Sequence, residues 1–261
     1  MTGRRRAEII SFVRTTAARA ALTMVTVAAL GTGCSAVLDQ VAMAAPGGSA
    51  PAAGAGASAG AAVGDAATAL AALPVKGRAP KTGYTREQFG PAWADIDRNG
   101  CDQRNDVLAR DMTGEKFKPG THDCVVLTGS LTDPYTGKKI AFARGQGTSE
   151  AVQIDHVIAL SNAWQTGAQQ LDEATRKNLG NDPLNLMAVD GPTNQSKGDS
   201  DAATWLPPAK SFRCTYVARQ VAVKKKYHLW VTQGEHDAIS GILANCPGQA
   251  LPADATVPAP K

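Results

Sequence analysis

Apolar residues recur at two periods along this chain, and each change of period marks an element. Thr85-Arg-Glu-Gln88 has the spacing of a capping box, and Phe89, Trp93 and Ile96 follow at helical intervals, which predicts a helix ended by Asn99-Gly100. Asp102 can cap a second helix carrying Val107, Leu108 and Met112. The period then shortens. Cys124–Thr128 and Lys139–Ala143 are strand-like and flank Asp133-Pro-Tyr-Thr-Gly137, a turn sequence, so a hairpin is expected. Ala151-Val-Gln-Ile154 alternates as a further strand that delivers Asp155 and His156 at its end. Helices are expected from about Ala159, from Asp172 to Leu179, near Thr193, from Ser211 to Tyr227 and from Glu235 to Asn245, with a short strand from Leu184 to Val189. Together these elements give an α+β fold class.

Both flanks of this region lack such periods. From about Val41 to Leu73 the chain is nearly all Ala, Gly, Pro and Ser, with Asp65 the only charge. Few side chains there can offset the entropy of ordering, so the stretch reads as a flexible tether. The expected organisation is a leader over 1–33, a tether over 34–78, a folded domain over 79–246 and a loose, proline-bearing tail over 247–261.

The leader carries Arg4, Arg5, Arg6, Arg14 and Arg19 ahead of the apolar run Ala20–Leu30. A basic stretch before about 11 apolar residues suits a secretory signal and is too short to span a bilayer. The small residues of Leu30-Gly-Thr-Gly-Cys34 resemble a bacterial lipoprotein cleavage box, although Gly31 stands where such boxes usually carry Leu. Lipidation at Cys34 would anchor the chain to a membrane; cleavage after Ala42-Met-Ala44 would release it. The three consecutive arginines also permit a twin-arginine route. With Cys34 set aside, Cys101, Cys124, Cys214 and Cys246 remain, an even number that implies two disulfides in an exported chain. Loop-closure economy favours Cys101 with Cys124 and Cys214 with Cys246 out of three pairings. A four-cysteine zinc site lacks the close spacing it needs.

Charge changes the picture once the leader is removed. The whole chain has 27 basic and 23 acidic residues, net +4; five of the basic residues and Glu8 precede Cys34, which leaves 22 of each sign. Binding of a polyanion must then come from a local patch, such as Lys224-Lys-Lys226 with Arg213 and Arg219, unless that run is only a solvated helix face.

The chemistry concentrates in Val152-Gln-Ile-Asp-His-Val-Ile-Ala-Leu160 and in Asn185-Leu-Met-Ala-Val-Asp-Gly-Pro-Thr-Asn194-Gln-Ser-Lys197. An acid beside a histidine at a strand end sets an oxygen ligand and a base at one rim. Two asparagines bracketing the next strand can face the same rim.

These stretches resemble the HNH endonucleases, and more narrowly the branch found in secreted actinobacterial proteins and in the C-terminal part of GmrSD-type restriction enzymes. The narrower likeness rests on Gly100-Cys-Asp-Gln-Arg104-Asn-Asp-Val-Leu108, on Asp155-His156 followed by Ala163-Trp164, and on Asn194-Gln-Ser-Lys197-Gly-Asp leading to Trp205-Leu-Pro-Pro208. The resemblance implies a ββα-metal (HNH, His-Me finger) core with additional helices and a hairpin. It implies His156 as general base, Asp155 and Asn194 as metal ligands, and Asn185 as a brace for the loop that aims His156. The oxygen donors favour Mg²⁺ or Mn²⁺ over Zn²⁺. Lys197 and Arg104 are the candidates for contacting phosphate. Ala159 and Asn194 depart from the commoner Pro and His of such motifs; the second implies a more weakly held metal.

The expected activity is hydrolysis of DNA, with RNA as a further substrate, giving 5′-phosphate and 3′-hydroxyl ends at low sequence specificity. No protein partner is evident. Two other readings stay open: a catalytically silent, envelope-anchored binding lipoprotein on the same fold, and a phosphodiesterase acting on other envelope phosphates. Taken alone, His156 would be an ordinary buried histidine. His122, His228 and His236 lack comparable company, Asp102 can be merely a cap, and Trp164 and Trp205 read as core.

Overall fold

The computed structural model describes residues 65–252. The leader, Cys34, the first part of the tether and the last residues of the tail lie outside that range. Two antiparallel sheets carry the domain. The first orders three strands, β1 (Met112–Phe117), β2 (Val126–Thr132) and β3 (Lys139–Ala143), in chain order. The second pairs β4 (Val152–His156) with β5 (Leu186–Asp190), in a register that sets Val152 against Asp190 and His156 against Leu186.

Strand periodicity explains why both sides of the β4/β5 pair are buried. Val152, Ile154, Leu186 and Ala188 face one core with Val107 and Leu108 of helix α2 (Gln103–Asp111) and with Val126, Leu131 and Phe142 of the first sheet. Met187 and Val189 face the other and larger core. That core is built with α3 (Leu160–Gln165), α4 (Glu173–Asn181), α6 (Arg213–Lys226) and α7 (Gln233–Leu243). A strand covered on both faces reads as a continuous apolar run, as Leu186–Val189 does. After β5 comes α5 (Gly191–Lys197), which packs on β4 and β5 and is capped by the Asp190 carboxylate on Thr193 N–H. Gly191 is obligatory at its start, because a Cβ there would lie 2.0 Å from the carbonyl oxygen of Glu150.

The hairpin, the strand bearing Asp155-His156, the second helix and the later helices lie close to the expected positions. The two disulfides pair Cys101 with Cys124 and Cys214 with Cys246. Closing loops of 23 and 32 residues, each contributes between about 3 and 4 kcal/mol by restricting the unfolded chain.

Four expectations are corrected. The helix through Phe89, Trp93 and Ile96 does not form: a 3₁₀ turn over Arg86–Phe89 stops at Gly90, which has φ 72°, and Trp93 itself has φ 61°. Thr85 makes no side-chain cap there. Pro91 follows at once and Ala94 N–H is claimed by the Asn181 side chain, so tertiary bonding outweighs the helical spacing. Met112 does not close α2 but opens β1, a strand the pattern did not announce. The lysine run is not a free patch, since Lys224 is fully buried on Glu235 (3.0 Å) and Lys226 reaches Asp182 (2.8 Å). Arg219 is likewise spent on the carbonyls of Pro183, Leu184 and Leu186, and Arg213 on that of Pro207.

The fourth correction concerns the tether boundary. Helix α1 (Ala66–Ala71), capped by Asp65, buries Ala66, Ala69 and Leu70 in the larger core, and Leu73 joins them. Asp65 also bridges Ala250, and Leu251 is buried, so both ends of the described range belong to the fold. Alanines give too little side chain to mark a core helix by periodicity, and only the packing partners on α6 and α7 reveal it. Leu70→Ala is expected to lower the unfolding free energy by about 2–5 kcal/mol, read as a lower urea midpoint at unchanged slope, whereas the same change in a free tether would leave the midpoint in place.

Candidate active site

The strand β4 presents Asp155 and His156 on opposite faces, as consecutive strand residues must be. Asp155 faces α5 and the β2–β3 turn. Its Oδ1 accepts from Lys197 Nζ at 2.9 Å, and its Oδ2 accepts from the Tyr135 hydroxyl. Lys197 also donates to the His156 carbonyl at 2.8 Å, and its side chain is fully buried. Tyr135 is brought there by Asp133, whose carboxylate accepts from Thr136 N–H in the turn and from Asp190 N–H at the end of β5. Burial and the adjoining Asp155 charge push the Tyr135 phenol well above its usual range, so it remains an O–H donor.

His156 is held from the other side. Its Nε2 lies 2.8 Å from the Gly180 carbonyl at the end of α4, and its ring stacks on Trp93 with centroids 6.2 Å apart and planes 15° apart. A carbonyl oxygen can only accept, so Nε2 carries the hydrogen and the neutral ring keeps its lone pair on Nδ1. Burial lowers the imidazole pKa to about 4, with the Arg86 and Lys197 charges adding to the effect against Asp155 and the Gly180 bond. The ring is therefore an unprotonated base at neutral pH.

Asn185, at the head of β5, holds the segment that follows the base. Its Oδ1 accepts from Ile158 N–H at 2.8 Å, its Nδ2 reaches the Ile158 and Leu179 carbonyls, and its own carbonyl accepts from Val157 N–H. Asn194, half-buried on α5, donates to Gln153 Oε1 at 2.9 Å, and its own Oδ1 accepts no hydrogen bond within the described residues.

Two cavities meet at His156. One of about 260 Å³ is lined by Asp155, His156, Asn194, Ser161 and Asp199. The other, of about 300 Å³, is lined by Trp93, His156, Gly180 and Asn181. Arg86 and Leu160 border both. Three of the residues expected at the centre thus share one cavity. Two others do not join them. Lys197 lines neither cavity, because its ammonium is the internal tie between Asp155 and the strand end. Arg104 donates weakly to Val152 at the start of β4, about 13 Å of strand away from His156. Arg86 takes their place: it is exposed, and before the fold is known nothing distinguishes it from any other surface arginine. Trp93 is also more than core, and its proximity to His156 comes from a turn that the helical spacing concealed. His122 and His228 are exposed at positive φ, Trp164 is core, Trp205 packs on Tyr135, and Asp102 caps α2.

The donor set suits a hard cation. Asp155, Asn194 and Asp199 offer oxygen in one cavity, with the Asn194 Oδ1 unengaged. Among the described residues no three His, Cys, Asp or Glu side chains gather as a ready-made cage. A few protein oxygens completed by water and substrate phosphate is the pattern of Mg²⁺ and Mn²⁺ sites.

Two outcomes follow from these contacts. In EDTA-treated protein, His156 protonates near pH 4 when folded and near pH 6.5 when unfolded. Between those values the unfolded chain binds more protons, so stability rises with pH and is lost as the pH is lowered from 6.5 to 4, by up to about 3 kcal/mol over the window. His156→Gln is expected to flatten this part of the curve in denaturant titrations from pH 4 to 7. Lys197→Met strands the buried Asp155 carboxylate and is expected to cost about 3–5 kcal/mol in the same assay, against under about 0.5 for a surface phosphate contact.

Residues 102–242 match the family described as GmrSD restriction endonucleases, C-terminal domain, a span that includes β4, β5 and α5. An uncharacterised secreted protein of Arthroderma benhamiae is 37% identical over 179 residues, 68% of this chain and 82% of that relative. No solved structure matches. The affiliation suggests a nuclease-like function, and the secreted relative and the two disulfides are consistent with export. By the extent of that match, this chain is a member of the family of GmrSD restriction endonuclease C-terminal domains.

Proposed function

We propose that this chain is an exported, metal-dependent nuclease of the HNH type, hydrolysing phosphodiester bonds of nucleic acid, DNA foremost, at low sequence specificity. In this reading β4, β5 and α5 are the ββα-metal core, with α3 and α4 inserted between its strands. The observation that carries it is the state of His156: a neutral imidazole, fixed through Nε2 on the Gly180 carbonyl, bordering the cavity that Asp155 and Asn194 also line.

His156 Nδ1 accepts the proton of the attacking water. Arg86, at the junction of the two cavities, orients a phosphate in front of it. Trp93 holds the imidazole plane, and Asn185 fixes the backbone just beyond it. Asp155 and Asn194 would hold one Mg²⁺ or Mn²⁺, which when bound offsets charge on the phosphoryl and leaving oxygens. Lys197 keeps Asp155 in place and has no part in binding substrate. Secretion with lipidation at Cys34 belongs to the same proposal; mass spectrometry of the mature N-terminus distinguishes it from a released form.

A second reading has one observation in its favour. Both Asp155 oxygens are already engaged, by Lys197 and Tyr135, as suits a scaffold that keeps the fold without turnover. Plasmid nicking separates the two. Cutting is expected with Mg²⁺ or Mn²⁺ and none with EDTA, with His156→Ala slower by about 10²–10⁴ and Arg86→Ala weaker mainly through KM. Absence of nicking with every divalent ion, by protein shown to be folded, establishes the silent scaffold; release of phosphate from envelope polymers in place of DNA turnover establishes a different phosphodiesterase.

A further inference from the structure

The segment ahead of α2 contains a cation-binding pattern that the nuclease site does not use. Asp95-Ile-Asp97-Arg-Asn99-Gly100-Cys-Asp-Gln103-Arg-Asn-Asp106 places oxygen side chains at positions one, three, five, nine and twelve of a twelve-residue loop, with glycine at six. This is the ligand order of a calcium loop of the helix-loop-helix type, with Asp for the usual Glu at the last position. Gly100, at the sixth position, has φ 92°, as the sharp bend there requires. From the ninth position the chain enters α2, so the twelfth ligand is presented by a helix.

Sequence order and acidity alone would not make a site. The deciding observation is what happens to Asp106 and Gln103. Asp106 is 4% exposed and its Oδ2 has no hydrogen-bond partner; Gln103 is fully buried and its Oε1 has none either. Both side chains are turned toward the loop. Gln103 Nε2 donates to Asp97 Oδ1; burial raises the Asp106 carboxyl pKa to about 6, against a bond from Asn99 and with the Asp97, Asp102 and Asp95 charges adding to the rise. A buried carboxylate oxygen without a donor costs on the order of several kcal/mol unless a cation or proton meets it. No basic side chain is bonded to it within the described residues, although Arg104 and Arg110 are on the same helix.

The rest of the loop is held ready by weak bonds. Asp95 accepts from the Asn99 and Gly100 N–H groups, and Asn99 Nδ2 reaches Asp97 at 3.3 Å. Asp102 is committed to capping α2 and is not a ligand, which matches the eighth position of the pattern. Cys101 is at the seventh, whose ligand is the backbone carbonyl, so its side chain is free to join Cys124. The disulfide thus restrains the loop without using a ligand. The described residues contain no set of three acidic, histidine or cysteine side chains gathered tightly enough to hold an ion as they stand, so binding an ion here requires the loop to close.

We infer that residues 95–106 form a calcium site, separate from the nuclease centre, in which Asp95, Asp97, Asn99, the Cys101 carbonyl, Gln103 and Asp106 enclose the ion. An aspartate at the last position reaches less far than glutamate, so affinity belongs in the range of extracellular modules, roughly 10⁻⁴–10⁻³ M. Trp93 stands two residues ahead of Asp95 and its carbonyl accepts from Gln103 N–H, so the ion also fastens the turn that carries the indole on His156.

The test uses EDTA-treated, dialysed protein titrated with CaCl₂ by calorimetry, and with Tb³⁺ by luminescence excited through tryptophan. Saturable binding in the stated range is expected, with Tm raised by about 3–5 °C at a tenfold excess over Kd. Asp97→Asn, at an exposed position, is expected to raise Kd by at least about tenfold and to remove the Tm shift. Asn194→Ala, in the nuclease cavity, should leave calcium affinity and the Tm shift unchanged, which keeps this site distinct from the proposed catalytic metal. The inference is overturned if no binding is seen up to about ten times the weaker limit, if Asp97→Asn binds as well as the parent, or if Asn194→Ala is the variant that loses binding.

Discussion

The Asp155 carboxylate is the constraint around which this domain is arranged. It lies at the end of β4, almost fully buried, and it is tolerable there only because Lys197 supplies an ammonium and Tyr135 a hydroxyl. Each partner comes from a different part of the chain. Lys197 closes α5, and Tyr135 sits in the turn between β2 and β3. Satisfying one charge therefore sets the position of the helix after β5 and docks the first sheet on the second. Asp133 reinforces the same junction by bonding the turn to the end of β5.

A base results from the opposite face of the same strand. Alternation sends His156 away from Lys197 and into contact with Trp93 and the Gly180 carbonyl, where burial keeps it neutral and the carbonyl selects the tautomer. The strand end thus separates a charged, structurally committed residue from an uncharged, chemically available one. A single pair of neighbours in the chain acquires two environments because a strand has two faces. Whatever reaches the site must enter through the two cavities that meet at His156, where Arg86 supplies the exposed positive charge.

The same economy appears in the basic residues. Over the chain they are numerous, yet Lys197, Lys224 and Arg219 are consumed by internal carboxylates and carbonyls. In a domain with a high share of irregular chain, buried carbonyls without strand or helix partners need donors, and long cationic side chains reach them. Counting lysines and arginines therefore overstates the surface available to a polyanion. The arginine that does face the cavities stands in a short 3₁₀ turn with no special neighbours in sequence.

Periodicity and capping chemistry by themselves determined the α+β class, the β2–β3 hairpin, the strand that ends in Asp155-His156, α2 behind Asp102, the later helices and the pairing of the four cysteines, because each depends on residues close in the chain or on the cost of loop closure. The motif order also picked out His156, Asp155, Asn185 and Asn194, three of which share a cavity while Asn185 braces the loop behind them. Only the tertiary structure decided that Ala66–Ala71 is core, that Phe89 to Ile96 is a turn, that Lys197 is an internal counterion and Arg104 is remote, and that Trp93 and Arg86 belong to the site. Those outcomes rest on partners far away in the chain, 42 residues for Lys197 and Asp155 and 87 for Ala94 and Asn181, or on which face of an element another element covers, and a local pattern carries no record of either.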